Sequence, residues 1–505
     1  MTSEKARLVS NYLRLLLTFI TGVIIVRLLA GIGPSALSIY LLVAAGNGFA
    51  MIMKTTLRES VIPVMGQTYD GNHQADFTQS FSLISRLSLI AAVFAFGIFF
   101  VFWLMSDVFQ TGSLAALTVF VAFIASGCKT ALSAFATPYV NTVLVSGRIV
   151  GFNAYSVVER GTELLALIGI TIFIPAASED TQTLVFFVGS LGLVSLVQLF
   201  IVFYARKIDP RITKGASSTA PQTRDWIFKL VGWNLLVVAA FLLYFRFTIL
   251  FLNIKFGEAA TILMGLVFLL IGYQRQIAVG LVIGMDAIIS RQIGKDDKGI
   301  SKETRSFVLR TSYIQAVVSC FSVTFLCIFV RPIFELWLGN SLDADAWDID
   351  QAVYLFRIIA IGFFARSVSE NWMKFLNGKG AVKLYAIPLI IFAIMYASLI
   401  IIGSSSLELK DLLIYLAVIF SVLHVIVHLG LIPFFTAREL QISIFALMRS
   451  ILLPFLLCLM VIGFAIMLKI DESLSFTKAV ILIVSMGLLG LVTIFIRPNS
   501  FTSQI

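Results

Sequence analysis

Charged residues are scarce in this chain. Asp, Glu, Lys and Arg together make up 13% of its 505 residues, and the mean hydropathy is +1.00. Soluble domains carry about 25% charged residues, so this chain lacks the polar surface that a set of soluble domains needs. The composition therefore predicts a polytopic membrane protein.

Residues and motifs that carry enzyme chemistry are scarce as well. The four cysteines, Cys128, Cys320, Cys327 and Cys458, lie in apolar segments without a CxxC pair, which argues against a disulfide framework and against a zinc site. The sequence contains no phosphate-binding glycine loop, no nucleophile elbow and no HExxH motif. We therefore expect no cofactor, no metal and no ATP hydrolysis.

Apolar segments of about 20 residues are long enough to cross the hydrocarbon core of a bilayer. The first of them contains Arg14 and Arg27, so we expect a span rather than a cleavable signal peptide. The ten-residue alternation of a membrane β-barrel is absent from the sequence. The prediction is an all-α polytopic fold with about 14 transmembrane helices, near residues 11–31, 36–66, 87–106, 114–145, 149–175, 182–204, 227–254, 260–290, 308–330, 351–376, 384–403, 411–434, 449–468 and 478–496.

The loops between these spans differ strongly in basic residues. The side that bears the N-terminus holds 21 of them, whereas the opposite side holds 5. By the positive-inside rule both termini are cytoplasmic. This topology explains the net charge of +10, so we expect no nucleic-acid partner. The longest loop on the opposite side, about residues 331–350, is too short for an external catalytic domain.

The chain also divides into two halves. A polar segment with Pro210, Gly215 and Pro221 follows the sixth span and is typical of a linker. The segments that begin at Glu59 and Asp286 are similar at an offset of 226–227 residues, which predicts two parallel six-helix lobes. The predicted domains are an N-terminal lobe, a cytoplasmic linker, a C-terminal lobe and an extra helix pair, at residues 1–204, 205–226, 227–434 and 435–505.

Ten basic residues but only five acidic ones fall inside the predicted spans. An ionised side chain near the bilayer centre costs about 2.5–3.5 kcal/mol on insertion scales. The surplus of cations therefore indicates a positively charged cavity and an anionic cargo. The basic residues are Arg14, Arg27, Lys54, Arg58, Lys129, Arg160, Arg246, Arg275, Arg357 and Arg366, and the acidic ones are Glu59, Glu159, Glu163, Asp286 and Glu370.

Helical spacing separates structural charges from candidate functional ones. Arg366 with Glu370, and Arg160 with its two neighbouring acids, can pair within one helix. His424 and His428 share a face of span twelve and are interpreted as packing residues rather than as a metal site. The candidates for substrate binding are Arg27, Lys54, Arg58, Lys129, Arg246 and Arg275. The candidates for ion coupling or charge balance are Glu59, Asp286 and Glu370.

The chain resembles the multidrug/oligosaccharidyl-lipid/polysaccharide exporter superfamily in its layout, its basic central linker and the paired segments RESVIPVMGQTYDG and DAIISRQIGKDDKG. Its cationic spans are most similar to those of the polysaccharide (O-antigen type) and lipid II-type flippases. The resemblance implies two lobes that alternate access and move an undecaprenyl-pyrophosphate-linked oligosaccharide across the bacterial inner membrane. Cations in spans 1, 2, 7 and 8 line the cavity of such flippases, and five of the candidates occupy those spans here.

Three other functions compete with this one. A cation-coupled multidrug exporter of the same superfamily would depend on Glu59 or Asp286 rather than on the arginines. An integral-membrane glycosyltransferase or polymerase is disfavoured by the short outer loops, and a non-transporting scaffold would not need buried unpaired cations. For a flippase we expect three kinds of partner: the lipid-linked oligosaccharide, membrane lipids and proteins of polysaccharide polymerisation or assembly.

The loop asymmetry gives a prediction about orientation. Two single cysteine substitutions test it: Ser217→Cys in the central linker and Ser341→Cys in the longest outer loop. An impermeant thiol reagent applied to intact cells should modify only the cysteine at position 341, because only that loop is expected outside. Modification at position 217 instead would reverse the assigned orientation.

Overall fold

The structure is a computed structural model, and it describes residues 4–57, 65, 74–213, 221–282, 285, 289, 300–338 and 348–467. Within these ranges the chain is helical, with no strand. Arg58, Glu59, Asp286 and the predicted fourteenth span lie outside the described residues.

The α-helices are named here in chain order. They are α1 Glu4–Ile32, α2 Pro34–Ala50, α3 Gln74–Leu104, α4 Ala116–Phe135, α5 Thr137–Val145, α6 Ile149–Phe173, α7 Glu179–Ile208, α8 Pro221–Leu242, α9 Thr248–Phe256, α10 Glu258–Val282, α11 Lys302–Leu338, α12 Ile349–Gly378, α13 Lys383–Gly403, α14 Leu409–Val425, α15 Ile432–Leu440 and α16 Ile444–Met467. Two π-helical segments, Leu243–Phe247 and Ile426–Leu431, join α8 to α9 and α14 to α15.

These helices confirm the all-α polytopic fold. In the described part of the chain, 11 helices or continuous helix runs are long and apolar enough to cross a membrane, and the apolar α2 is shorter, with 17 residues. The fifth predicted span, α6, is 25 residues long but carries three charged residues in its middle. In the residues that the structure describes, each of the first thirteen predicted spans thus corresponds to helix, and the chain is a multi-pass membrane protein.

The chain forms two compact units. The first comprises Met1–Gly265 with Asn340–Trp347, and the second comprises Leu266–Gly339 with Asp348–Ile505. The boundary falls inside α10 rather than in the linker at 205–226. The compact units are defined by which helices pack together, whereas the predicted lobes are defined by a repeat in the sequence. The units therefore do not test the repeat, and the lobes and their boundaries stay predictions.

In the first unit, aromatic side chains fill the space between neighbouring helices. Phe102 of α3 packs against Phe99 of the same helix, against Phe109 and against Phe123 of α4, with ring centroids 5.8–6.4 Å apart. Edge-on aromatic pairs of this kind add to the burial of apolar area. Helix α2 packs on α3 and α4, and it also contacts the π segment and α9.

In the second unit, α12 is the central helix. It packs on α11 and α14, and most of its side chains are buried, including Arg366, Glu370 and Trp372. Helix α16, the predicted thirteenth span, packs along α11, and its Phe455 lies 5.7 Å from Phe364 of α12. The helix is therefore part of the packed unit rather than surrounded by lipid on every side.

The close approach of α12 and α14 gives a prediction about stability. A Cβ atom added at Gly362 would lie 2.7 Å from the Cα atom of Ser421, so the backbones themselves would have to separate. Gly362→Ala should lower the free energy of unfolding by about 1–3 kcal/mol, measured by thermal denaturation in detergent. Gly272→Ala meets no atom within 4 Å, so it should not destabilise the protein. Equal midpoints for the two variants would contradict the close approach.

Candidate functional site

The first unit contains an ion cluster around Glu163 of α6. Lys129 of α4 donates to its Oε1 at 2.8 Å, and Arg160 donates to its Oε2 at 2.5 Å. The hydroxyl of Tyr40 accepts from Arg160 at 3.0 Å and donates to Glu163 at 3.4 Å. Lys129 also contacts the hydroxyl of Ser190 at 3.3 Å. One carboxylate therefore holds two cations from two helices, and the predicted pairing of Arg160 with Glu163 is found.

A second polar cluster connects Lys54 with Glu159. The ammonium of Lys54 donates to the hydroxyl of Ser133 at 2.5 Å, and this hydroxyl donates to Glu159 Oε1 at 3.0 Å. Gln198 of α7 donates to the same carboxylate oxygen at 2.7 Å and accepts from Tyr155 at 2.9 Å. Lys54 is thus linked to Glu159 through the hydroxyl of Ser133.

Arg246 has a different environment. It lies in the π segment Leu243–Phe247, and in the part of the chain that the structure describes it makes no hydrogen bond and no ion pair. Its side chain runs across Gly48 of α2, and Tyr40 lies within electrostatic range. Among the described residues, no carboxylate therefore neutralises the charge of Arg246 by direct contact.

In the second unit, Glu370 joins two helices. Its Oε1 accepts from Nε of Arg275 in α10 at 3.1 Å, and Nε of Arg366 lies 3.8 Å from the same atom. The Arg366 side chain is 2% exposed, whereas that of Arg275 is 41% exposed. The expected pairing of Arg366 with Glu370 is present, and Arg275 shares it.

The two histidines of span twelve lie beside this group. His424 and His428 are buried, their rings lie 5.4 Å apart, and His428 Nδ1 is 2.6 Å from the hydroxyl of Ser369 in α12. His424 Nδ1 lies 2.9 Å from the carbonyl oxygen of Phe420. Their burial agrees with the interpretation as packing residues. Among the described residues, no group of three or more His, Cys, Asp or Glu could hold a metal ion.

The structure brings some of the candidate residues together and separates others. Lys54, Lys129 and Arg246 belong to the first unit around α2, Arg275 and Glu370 belong to the second, and Arg27 lies on an exposed face of α1. Tyr40 and Gly48 were not predicted from the sequence, because a tyrosine and a glycine in an apolar span carry no charge that would distinguish them. The π segments have no recognisable sequence pattern.

The fold is shared by known transporters. The chain is similar to the lipid II flippase MurJ in an inward closed conformation, with a TM-score of 0.64, 12% identity and coverage of 96% of this chain and 97% of that one. It is also similar to an inward-facing multidrug resistance MATE family transporter of the MOP superfamily, with a TM-score of 0.61, 13% identity and coverage of 88% and 99%.

A MOP superfamily transporter from Pyrococcus furiosus, described as having a binding pocket of reverse polarity, matches with a TM-score of 0.52, 13% identity and coverage of 91% and 96%. No protein-family model matches the chain, and no curated protein matches it in sequence. At this level of identity the likeness concerns the fold. The chain therefore has the fold of MOP superfamily transporters.

The cluster around Glu163 gives a prediction about stability. Glu163→Ala would leave Lys129 and Arg160 without their carboxylate, and removing one partner of a buried ion pair costs about 3–5 kcal/mol. Lys129→Ala should cost less, because Glu163 would keep Arg160. Thermal denaturation in detergent measures both variants.

The control for this experiment is Glu335→Ala. Glu335 lies 3.7 Å from Arg331, but its side chain is 55% exposed, so its loss should cost no more than about 1 kcal/mol. A loss of stability at Glu163 no larger than that at Glu335 would show that the buried cluster does not stabilise the fold.

Proposed function

We propose that this protein is a flippase that moves an undecaprenyl-pyrophosphate-linked oligosaccharide, a precursor of cell-surface polysaccharide or peptidoglycan, across the bacterial inner membrane by alternating access. The observation that carries the proposal is Arg246, a cation deep within span seven that makes no ion pair with any described residue. A guanidinium held within a membrane protein without a carboxylate needs either water or an anionic ligand.

Pyrophosphate suits this environment. Arginine's planar fork binds phosphate oxygens through two parallel hydrogen bonds, and lysine assists as a point charge. Lys54 and Lys129 belong to the same compact unit as Arg246, but each already has a hydroxyl or carboxylate contact. Arg246 therefore takes the leading role in phosphate binding, and the two lysines add positive potential.

The remaining candidates keep the roles given by the sequence. Arg27, Arg58 and Arg275 remain candidates for substrate binding. Glu59, Asp286 and Glu370 are assigned to ion coupling or charge balance. Glu370 is engaged with two arginines, which favours charge balance for this residue.

The alternative function is a cation-coupled multidrug exporter of the same superfamily. The similarity of the fold to MATE transporters favours it, and buried carboxylates such as Glu163 and Glu370 could bind a cation in another conformation. The two functions differ in what they require of Arg246: a flippase for an anionic lipid needs the guanidinium, whereas an exporter of cationic drugs does not. The proteins of like fold are transporters and flippases, so an integral-membrane glycosyltransferase gains no support from them.

Arg246→Ala should therefore slow flipping. A charge-assisted hydrogen bond contributes about 1.5–3 kcal/mol, which corresponds to a decrease of about 10- to 150-fold in binding. The protein would be reconstituted in proteoliposomes with a fluorescent polyprenyl-pyrophosphate-linked saccharide, and an impermeant quencher would report the rate of transfer between leaflets. Arg246→Lys should restore part of the rate, because the charge returns without the planar fork.

Lys255→Ala serves as the matched control. Lys255 is an exposed residue near the end of α9, so this variant removes the same charge from the same span without affecting the interior. Its flipping rate should stay near that of the unmodified protein. A normal flipping rate in Arg246→Ala, together with export of a cationic dye by the unmodified protein, would contradict the flippase and support the multidrug exporter.

A further inference from the structure

Gly48 of α2 is the residue on which the side chain of Arg246 rests. A Cβ atom added at position 48 would lie 2.5 Å from Cγ of Arg246 and 3.0 Å from both its Cδ and its Nε. These three atoms form the stem of the arginine and the start of its guanidinium. The absence of a side chain on α2 therefore provides the groove along which Arg246 extends.

The position of the contact determines how a larger residue at 48 would act. If only the tip of the arginine touched α2, a small rotation of the last bonds would relieve the clash. Because the closest atom is Cγ, relief requires a different rotamer near the backbone, and this moves the whole guanidinium. A methyl group at position 48 would thus redirect Arg246 rather than merely tighten the packing.

The backbone around this contact is irregular in both helices. Helix α2 ends at Ala50, Met51 forms a turn, and helical structure resumes at residues 52–57. Arg246 itself lies in the π segment Leu243–Phe247, and single π-helical turns within α-helices frequently occur at functional sites. In membrane transporters, interrupted helices near the middle of the bilayer commonly form the binding site. Gly48 therefore lies close to the turn that interrupts span two, and Arg246 lies within the π-helical turn of its own span.

The choice of glycine at this position also has a physical cost. Glycine in a helix interior is about 1 kcal/mol less favourable than alanine. Alanine at position 48 would therefore stabilise α2 if the space were empty. The space is occupied by Arg246, so glycine is required by the conformation of that side chain rather than by α2 itself.

We propose that Gly48 is a positioning residue that sets the direction of the Arg246 guanidinium, and thereby the affinity of the protein for a phosphate group of its substrate. This inference rests on the proposed function, because it takes Arg246 as the phosphate-binding residue. It adds that the anion selectivity of the site depends on an uncharged residue in span two. Gly48→Ala should therefore weaken binding of an anionic lipid although it changes no charge.

The experiment compares two probes that share a farnesyl chain and differ in the pyrophosphate group. Farnesyl pyrophosphate and farnesol would be titrated into the purified full-length protein in detergent, and the ratio of their affinities gives the preference for the pyrophosphate. Arg246→Ala should lower this ratio by about 10- to 150-fold. Gly48→Ala should lower it by at least about 3-fold, since a displaced guanidinium loses part of that contact. Farnesol affinity should change little in either variant.

Gly46→Ala is the matched control. A Cβ atom at position 46 would lie 2.7 Å from Cε2 of Phe102 and 3.4 Å from Phe99, so it produces a similar clash in the same helix without contacting Arg246. Both glycine variants should lose thermal stability, but only Gly48→Ala should lose the preference for pyrophosphate. Equal ratios for the two variants would overturn the positioning role and leave only a packing role for Gly48.

The double variant Gly48→Ala/Arg246→Ala completes the cycle. With the arginine side chain removed, the added methyl group has room, so the double variant should be as stable as Arg246→Ala and show the same ratio. If Gly48→Ala alone unfolds, stable folding of the double variant still supports the contact, and unfolding of both contradicts it. If Arg246→Ala keeps the full preference, the proposed function fails. If Arg246→Ala loses it but Gly48→Ala does not, only the positioning role fails.

Discussion

Charge compensation within an apolar bundle is the constraint on which the rest of this structure depends. A carboxylate buried among helices is costly unless cations and hydrogen-bond donors surround it. Glu163 and Glu370 meet this condition, because each accepts from or lies beside two basic side chains. Each carboxylate also connects two helices, so the ion clusters fix how α4 lies on α6 and how α10 lies on α12.

This compensation distributes positive charge unevenly. Lys129 and Arg160 are held by Glu163, and Lys54 is linked to Glu159 through Ser133. Arg246 receives no such carboxylate from any described residue. Pairing with carboxylates reduces the positive potential that these cations produce, so the guanidinium of Arg246 supplies most of the attraction for an anionic ligand in the proposed function.

Much of the fold follows from the sequence, because the lengths of apolar segments and the cost of unpaired backbone groups in lipid leave little choice other than helices. The predicted spans therefore correspond to described helices as far as α16. The pairing of Arg160 with Glu163 was also predictable, since residues three apart lie on one face of a helix. Contacts between side chains of different helices could not be predicted from the sequence. Nothing in the sequence indicates that Lys129 meets Glu163 across 34 positions, or that Arg275 meets Glu370.

The π-helical turn in span seven could not be predicted from the sequence either. The π segment that contains Arg246 has no proline or glycine within it, and its residues Leu243–Phe247 look like any apolar helix with one arginine. Its geometry depends on how the span packs against α2, where Gly48 leaves room for the arginine stem. The sequence therefore identified Arg246 as a charged residue in a span, but the conformation of its side chain depends on how two helices pack together.

The same fold carries binding pockets of different polarity, as the Pyrococcus furiosus transporter with a described reverse polarity shows. Specificity in such a family must then come from side chains placed on a common scaffold. Under the proposed function, a carboxylate near position 246 would pair with the arginine and remove the proposed anion site without any change in helix packing. The proposed function thus makes the cargo depend on local charge balance, whereas the helices determine only where that balance is established.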